Sequence, residues 1–201
     1  FSASRPTVRE ALLRMQIRGY LNAAAGHRPR AGKPSLETIL TAAGGDLREI
    51  LGDVESLVHL EQMRQFIEIG AARAAAAKAT NLQIAKLRAM LESNFEAIET
   101  DRFAETDIAF HRMLVSVVDN PIILILHDKF VSGLFSTRPA QTNSALRHRV
   151  SYDEHRQIYQ AVLERDANRA SEIMERHLED SYRTRMTSPR QTLDSKTPPP
   201  N

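Results

Sequence analysis

Between residues 54 and 186 apolar side chains return at helical intervals almost without a break. The pattern predicts helices over 54–79, 82–100, 102–118, 121–136, 146–165 and 168–186. Leu57, Leu60, Ile67 and Ala71 form the stripe of the first, and Phe103, Phe110, Leu114 and Val118 that of the third. Asn120-Pro121, Arg138-Pro139 and Arg165-Asp166 punctuate the run. No alternating strand pattern appears in it, and no internal repeat.

The upstream segment has a different character. Residues 4–19 predict a helix capped by Ser4, with Pro6 in its first turn, Val8, Ala11, Leu12 and Met15 as its stripe, and Gly19 as its stop. Residues 20–34, with Gly26, Pro29 and Gly32, predict a hairpin. A short helix near 36–42 precedes Gly44-Gly45, and the proline-rich stretch after Thr187 predicts a disordered tail. The expected organisation is a partial winged helix-turn-helix over 1–34, a linker over 35–53, an all-helical antiparallel bundle over 54–186 and a tail over 187–201. The fold class is mostly α.

Composition sharpens this picture in two ways. The chain has no cysteine, which excludes disulfides and thiolate ligands and suits a cytoplasmic setting. No apolar run approaches the roughly 20 residues that span a bilayer, and no secretory leader is visible, so no membrane partner is expected. The net charge of +2 hides an asymmetry: residues 1–33 carry Arg5, Arg9, Arg14, Arg18, Arg28, Arg30 and Lys33 against Glu10 alone, or +6, which leaves −4 for the rest. A basic head on an acidic body is the footprint of a nucleic-acid-binding segment.

Arg5 and Arg9 lie four apart on one helical face, at the end that enters a major groove in helix-turn-helix proteins. Ser4, Arg5, Thr7 and Arg9, with Gly26-His27-Arg28 at the hairpin tip, are the candidate DNA contacts. The string Ser4-Arg5-Pro6-Thr7-Val8-Arg9-Glu10-Ala11-Leu12, ending at Gly19-Tyr20-Leu21, resembles the GntR family of bacterial transcription regulators. The family's two preceding helices have no counterpart here beyond a remnant at Phe1, so weaker DNA binding is expected of the chain as it stands.

The bundle carries the candidate chemistry. His155 and His177 are equidistant from Asp166, so an antiparallel hairpin turning there sets both at one height on inner faces. Asp107 and His111 are i and i+4 on another inner face. One carboxylate and three imidazoles suit a divalent ion, with Zn²⁺, Ni²⁺, Mn²⁺ and Fe²⁺ all acceptable. The alternative for each histidine is an ordinary core residue satisfied by hydrogen bonds.

Asp107-x-x-x-His111, Glu154-His155 and His177-Leu178 resemble the effector-binding FCD domain of the FadR subgroup of GntR regulators. That resemblance implies a metal, usually zinc or nickel, on Asp107, His111, His155 and His177. It also implies a small carboxylate or sugar-acid effector and a homodimer on operator DNA. Strings such as Glu61-Gln62-x-Arg64-x-Phe66, Asn120-Pro121-Ile122 and Val150-Ser151-Tyr152 narrow it to a sialic-acid-responsive branch. Arg64, common at that point in the subgroup, is a candidate clamp for the effector carboxylate, with a structural Arg64–Glu68 pair as the alternative; Arg138 is a second candidate. His59, His127 and His148 are expected in surface or packing roles. A metal-responsive DNA-binding sensor is a second reading. A metal-dependent hydrolase, suggested by His111 and His127-Asp128, lacks an organised nucleophile or base, so no enzyme is expected.

Overall fold

The computed structural model describes residues 3–22, 28–35, 38, 53–135 and 144–187. The chain divides into two compact units, residues 1–59 and 60–201.

In the first unit, helix α1 spans Arg5–Ile17. Ser4 caps it, its Oγ accepting from Thr7 N at 3.4 Å and lying 2.8 Å from Thr7 Oγ1. The helix stops at Gly19, whose φ of 76° is open to glycine and strained for other residues. A side chain there would also meet Pro34 Cα at 3.0 Å. Strands β1 (Leu21–Asn22) and β2 (Arg30–Ala31) pair antiparallel, Leu21 opposite Ala31. The predicted hairpin is therefore present; its tip, with Gly26 and His27, lies outside the described residues, as do the short helix expected near 36–42, apart from Thr38, and the tail after Thr187. Helix α1 buries none of its residues: Val8, Leu12 and Met15, its predicted stripe, are exposed.

The second unit is built on α2 (Asp53–Lys78, whose first turns fall in the first unit), α3 (Asn81–Glu96), α4 (Phe103–Ser116), α5 (Pro121–Phe135), α6 (Ser144–Leu163) and α7 (Ala167–Thr187). Local chemistry sets the starts of three of these. Thr80 and Gln83 form a reciprocal capping box before α3. Asn120 Oδ1 accepts from Ile122 and Ile123 N, with Pro121 in the first turn of α5. Asp166 Oδ1 accepts from Arg169 N to cap α7. The α6–α7 turn closes through Arg165 at φ 63°, and its guanidinium donates to Ala79 O at 2.7 Å, covering a carbonyl at the end of α2.

One predicted element is corrected. The helix expected over 82–100 ends at Glu96. Ala97 and Ile98 instead turn inward against Phe103, and Thr100 Oγ1 donates to Ala97 O and accepts from Arg102 N. Tertiary burial and a local side-chain bond outcompete helix propagation there.

The core joins Leu87, Phe110, Leu114, Ile158, Met174 and Leu178 to a stripe of alanines on α2, Ala72, Ala75 and Ala76, and to Ala79 just past its end. Small residues on that stripe let neighbouring side chains pack directly against the helix backbone. Replacing buried Ala75 with leucine should therefore destabilise the bundle by about 1–3 kcal/mol through overpacking. The exposed Ala77→Leu should stay within about 0.5 kcal/mol of wild type. Urea unfolding of the two variants measures the difference, and equal midpoints would refute the packing assignment.

Candidate metal centre

His111 on α4, His155 on α6 and His177 on α7 are all buried, and their ligand-capable nitrogens lie within 4.8 Å of one another. His111 Nε2 is 3.2 Å from His155 Nε2 and 3.3 Å from His177 Nε2. The hairpin register anticipated from Asp166 does bring His155 and His177 to one level, with ring centroids 4.8 Å apart. Phe110, one residue before His111, stacks on the His155 ring at 4.4 Å. Asp107 stands slightly back, its Oδ1 3.7 Å from His155 Nε2 and 3.4 Å from Ser151 Oγ.

The other nitrogen of each ring decides what the cluster presents. Thr106 Oγ1 donates to Phe103 O, so it accepts from Asn94 Nδ2, and the Asn94 amide oxygen is left facing His155 Nδ1 at 3.0 Å. His155 must then carry its proton on Nδ1. His177 Nδ1 lies 2.7 Å from Glu154 Oε2. His111 Nδ1 lies 2.6 Å from Glu68 Oε2, a close contact whose angle falls short of hydrogen-bond alignment. Carboxylates accept only, so those two rings also carry the proton on Nδ1. Three Nε2 lone pairs consequently point into one space. A cation about 2.0–2.1 Å from tetrahedral imidazole nitrogens sets them about 3.3–3.4 Å apart, close to the 3.2 and 3.3 Å from His111 Nε2 to the other two. The donor set fits a divalent metal.

Electrostatics agree with neutral rings at His155 and His177. Burial, then the neighbouring His111, lowers the His177 pKa from 6.5 to about 3. Burial, with His177 and His111 nearby, holds His155 well below the ordinary histidine value. Glu154 is raised, chiefly by burial. Burial alone would also raise Glu68, but Arg64 and His111 outweigh it and hold the carboxyl well below its usual range. Arg64, though desolvated, is raised by Glu68, Glu61 and Asp107.

Glu68 also receives His127 Nε2 at 3.1 Å and Arg64 Nε at 2.9 Å, both on Oε1. The Arg64–Glu68 pair weighed from sequence is thus present and almost fully buried. His127 is a buried polar partner, not a surface residue, and meets His111 through Glu68 although the two rings lie on different helices. Asp128 pairs with Arg112 at 2.9 Å on an exposed face, and its Oδ1 also lies 3.6 Å from His127 Nδ1. His148 Nδ1 donates to Ile98 O at 2.7 Å and its ring stacks on Phe103; His59 is exposed.

A cavity of about 270 Å³ reaches the cluster on the α6–α7 side, lined by Asp107, His177, Ser151, Ser181 and Arg147 among others. Arg64 is not among its lining residues, and Arg138 lies outside the described residues. Ser4, Arg5, Thr7, Arg9 and Arg28 are exposed in the first unit. Sequence reasoning did not name Asn94, and it gave Glu68, Glu154 and His127 no part in orienting the imidazoles. Glu68 carried one usable sign, a charged residue spaced i+4 from Arg64 beside an apolar stripe.

An exposed, capped, arginine-bearing helix and a two-stranded hairpin, followed in one chain by an all-helical bundle, make the build of a transcription regulator. Residues 59–180 match the FCD domain. The transcriptional repressor NanR of Cronobacter sakazakii is 32% identical over 187 residues, 92% of this chain and 72% of its own. NanR of Klebsiella aerogenes is 34% identical over 181 residues, 89% of this chain and 70% of its own. Among solved structures, Streptococcus agalactiae GntR superposes with a TM-score of 0.59 at 20% identity, covering 90% of this chain and 82% of that one. E. coli McbR/YncC does so at 0.55 and 14%, covering 92% and 86%. The chain belongs to the GntR family of transcription regulators, in its FCD-domain branch, with NanR repressors among its relatives. These are regulators rather than enzymes, which sets the hydrolase reading aside. No helix among the described residues is long and apolar enough to cross a membrane.

The depressed histidines predict a pH dependence for the metal-free protein. Below the unfolded value of 6.5 the unfolded chain takes up protons that folded His177 refuses until about pH 3. Stability therefore rises with pH across that window and is lost on acidification, with a limiting slope of about 1.4 kcal/mol per pH unit for each such histidine. Urea midpoints of chelator-treated protein between pH 7 and 4 test this; a flat profile would contradict it.

Proposed function

We propose that this chain is a ligand-responsive GntR-type repressor whose bundle holds one divalent metal, zinc or nickel, on His111, His155, His177 and Asp107. The observation that carries the reading is the convergence of three Nε2 lone pairs, each fixed by an acceptor on the opposite nitrogen. A bound cation supplies a Lewis-acidic position for an oxygen of a carboxylate or hydroxy acid. Asp107 and His177 stand where that position meets the cavity, and Ser151 and Ser181 line the same wall. A small carboxylate or sugar acid is the effector class this lining suits. Arg147, which lines the cavity, is the second anchor; Arg64 is engaged with Glu68, and Arg138 remains a sequence candidate.

DNA contact falls to Arg5 and Arg9 on the exposed face of α1, with Arg28 and the tip residues Gly26 and His27 of the hairpin. Ser4 and Thr7 hold the helix start that presents those arginines. Each head reads one half-site, so the functional unit is a homodimer on operator DNA in the cytoplasm. Effector binding acts by favouring one arrangement of the bundle over another, and so shifts affinity for the operator. A metal-only sensor is separated from this reading by adding metal and acid in turn.

Chelator-treated protein titrated with zinc against a competing chromophoric chelator should bind one equivalent per chain, and His155→Ala should lose that binding. In zinc-loaded protein, a hydroxy-acid or sugar-acid ligand at 100 times its Kd should add about 2.7 kcal/mol to stability. Arg147→Ala should weaken that ligand about tenfold or more at unchanged zinc stoichiometry. Failure of every carboxylate to shift melting while zinc alone changes DNA affinity would establish the metal-sensor alternative instead.

A further inference from the structure

Two groups of side chains meet at the His111 ring. Its Nε2 faces His155 of α6 and His177 of α7, and its Nδ1 faces Glu68 of α2. Glu68 in turn receives Arg64 from its own helix and His127 from α5. We propose that Glu68 is a positioning residue of the metal centre: it keeps His111 in the Nδ1-protonated form, so that the Nε2 lone pair stays on the ligand side. The inference rests on reading the imidazole cluster as a metal centre.

The two carboxylate oxygens are divided between neighbours. Oε2 faces His111 Nδ1 at 2.6 Å, while Oε1 takes Arg64 Nε at 2.9 Å and His127 Nε2 at 3.1 Å. Every neighbour on both sides is a donor, so the bridging group must be acceptor-only. A carboxylate satisfies this and an amide cannot. In Glu68→Gln one end becomes an NH₂. Arg64 cannot give up its protons, so the amide oxygen stays on its side and the NH₂ turns to His111. His111 then has to accept on Nδ1, and its proton moves to Nε2, aimed at His155 and His177. The cluster loses one of its three lone pairs. Arg64 fits the same logic: its permanent charge balances an anionic acceptor placed where both side chains are only 1% exposed.

Bridging by Glu68 also links the ring that would bind metal to α2 and α5, neither of which contributes one of the three imidazoles. Partners of this kind commonly change metal affinity by about 10–100-fold when removed.

The test compares wild type with two variants, because Glu68→Gln alone leaves the Arg64 guanidinium facing an amide in the core. The second variant combines Arg64→Met with Glu68→Gln and removes both charges together. Long-range ¹H–¹⁵N NMR on chelator-treated protein reads which His111 nitrogen carries the proton, and zinc competition titration reads affinity. The expected result is a proton on Nδ1 in wild type, a proton on Nε2 in Glu68→Gln, where Arg64 fixes the amide, a mixture of the two tautomers in the double variant, where nothing fixes it, and zinc weakened in both, by about 10–100-fold in Glu68→Gln. A double variant that folds with the wild-type tautomer and zinc affinity would overturn the proposal. So would weakened zinc with an unchanged tautomer, since Glu68 would then act by charge alone. Wild type that takes no zinc would overturn the metal reading itself, while the tautomer comparison still decides what Glu68 does.

Discussion

A buried imidazole obliges the protein to settle two nitrogens, one as donor and one as acceptor, and the centre of this bundle follows from that obligation. His111, His155 and His177 have been taken out of water together, each at 3% exposure or less. A neutral ring in such a place must have an acceptor for its N–H, or the desolvation of that group is left unrepaid. The structure supplies Glu68, Asn94 and Glu154, one for each ring. Once those three acceptors are in place the remaining nitrogens have no freedom of role. They are three bases facing one another, an arrangement that repels itself and that a cation relieves.

The helices serve this geometry through their ends. Asp166 caps α7 and Arg165 closes the turn before it, and these two residues decide the height at which His177 stands beside His155. The α2 alanines matter for a related reason. A helix with large side chains on that stripe would stand further from Phe110 and Leu114, and Glu68, one turn earlier on the same helix, would no longer reach His111. Packing and polar chemistry are therefore not separate layers of the molecule, since the small residues of the core set the reach of the charged ones.

How much of this was legible in the sequence follows from the range of the interactions. Caps and stops are local, and Ser4, Gly19, Asn120 and Asp166 could be located before any coordinates. The Asp107–His111 spacing and the symmetry of His155 and His177 are helical periodicities, so the three rings were also accessible. The acceptors were not. Asn94 reaches His155 across 61 positions of chain, and Glu68 reaches His127 across 59. Periodicity shows that a residue faces inward but not which inward-facing residue of another helix it will meet. Glu154 was hidden differently, next to His155 in sequence yet serving His177 on the neighbouring helix. The overrun of the second predicted bundle helix to residue 100 has the same origin, because the inward turn of Ala97 and Ile98 depends on Phe103 and on His148 from α6.

Stability alone does not account for the Arg64–Glu68 pair. Both ions are nearly withdrawn from solvent, and replacing a buried ion pair with apolar side chains of similar volume is often neutral or stabilising by about 1–4 kcal/mol. A leucine and a methionine in their places would extend the core stripe of α2 without strain on the helix. They would leave His127 Nε2 and His111 Nδ1 with no acceptor, and the His111 ring free to carry its proton on either nitrogen. An uncharged acceptor such as glutamine meets one side of the requirement and fails the other, because donors approach from both. An anion is the smallest group that satisfies all three neighbours, and an arginine one turn away is the smallest permanent counter-charge that lets an anion remain there. On this reasoning the ion pair is retained for the orientation it imposes on one imidazole ring.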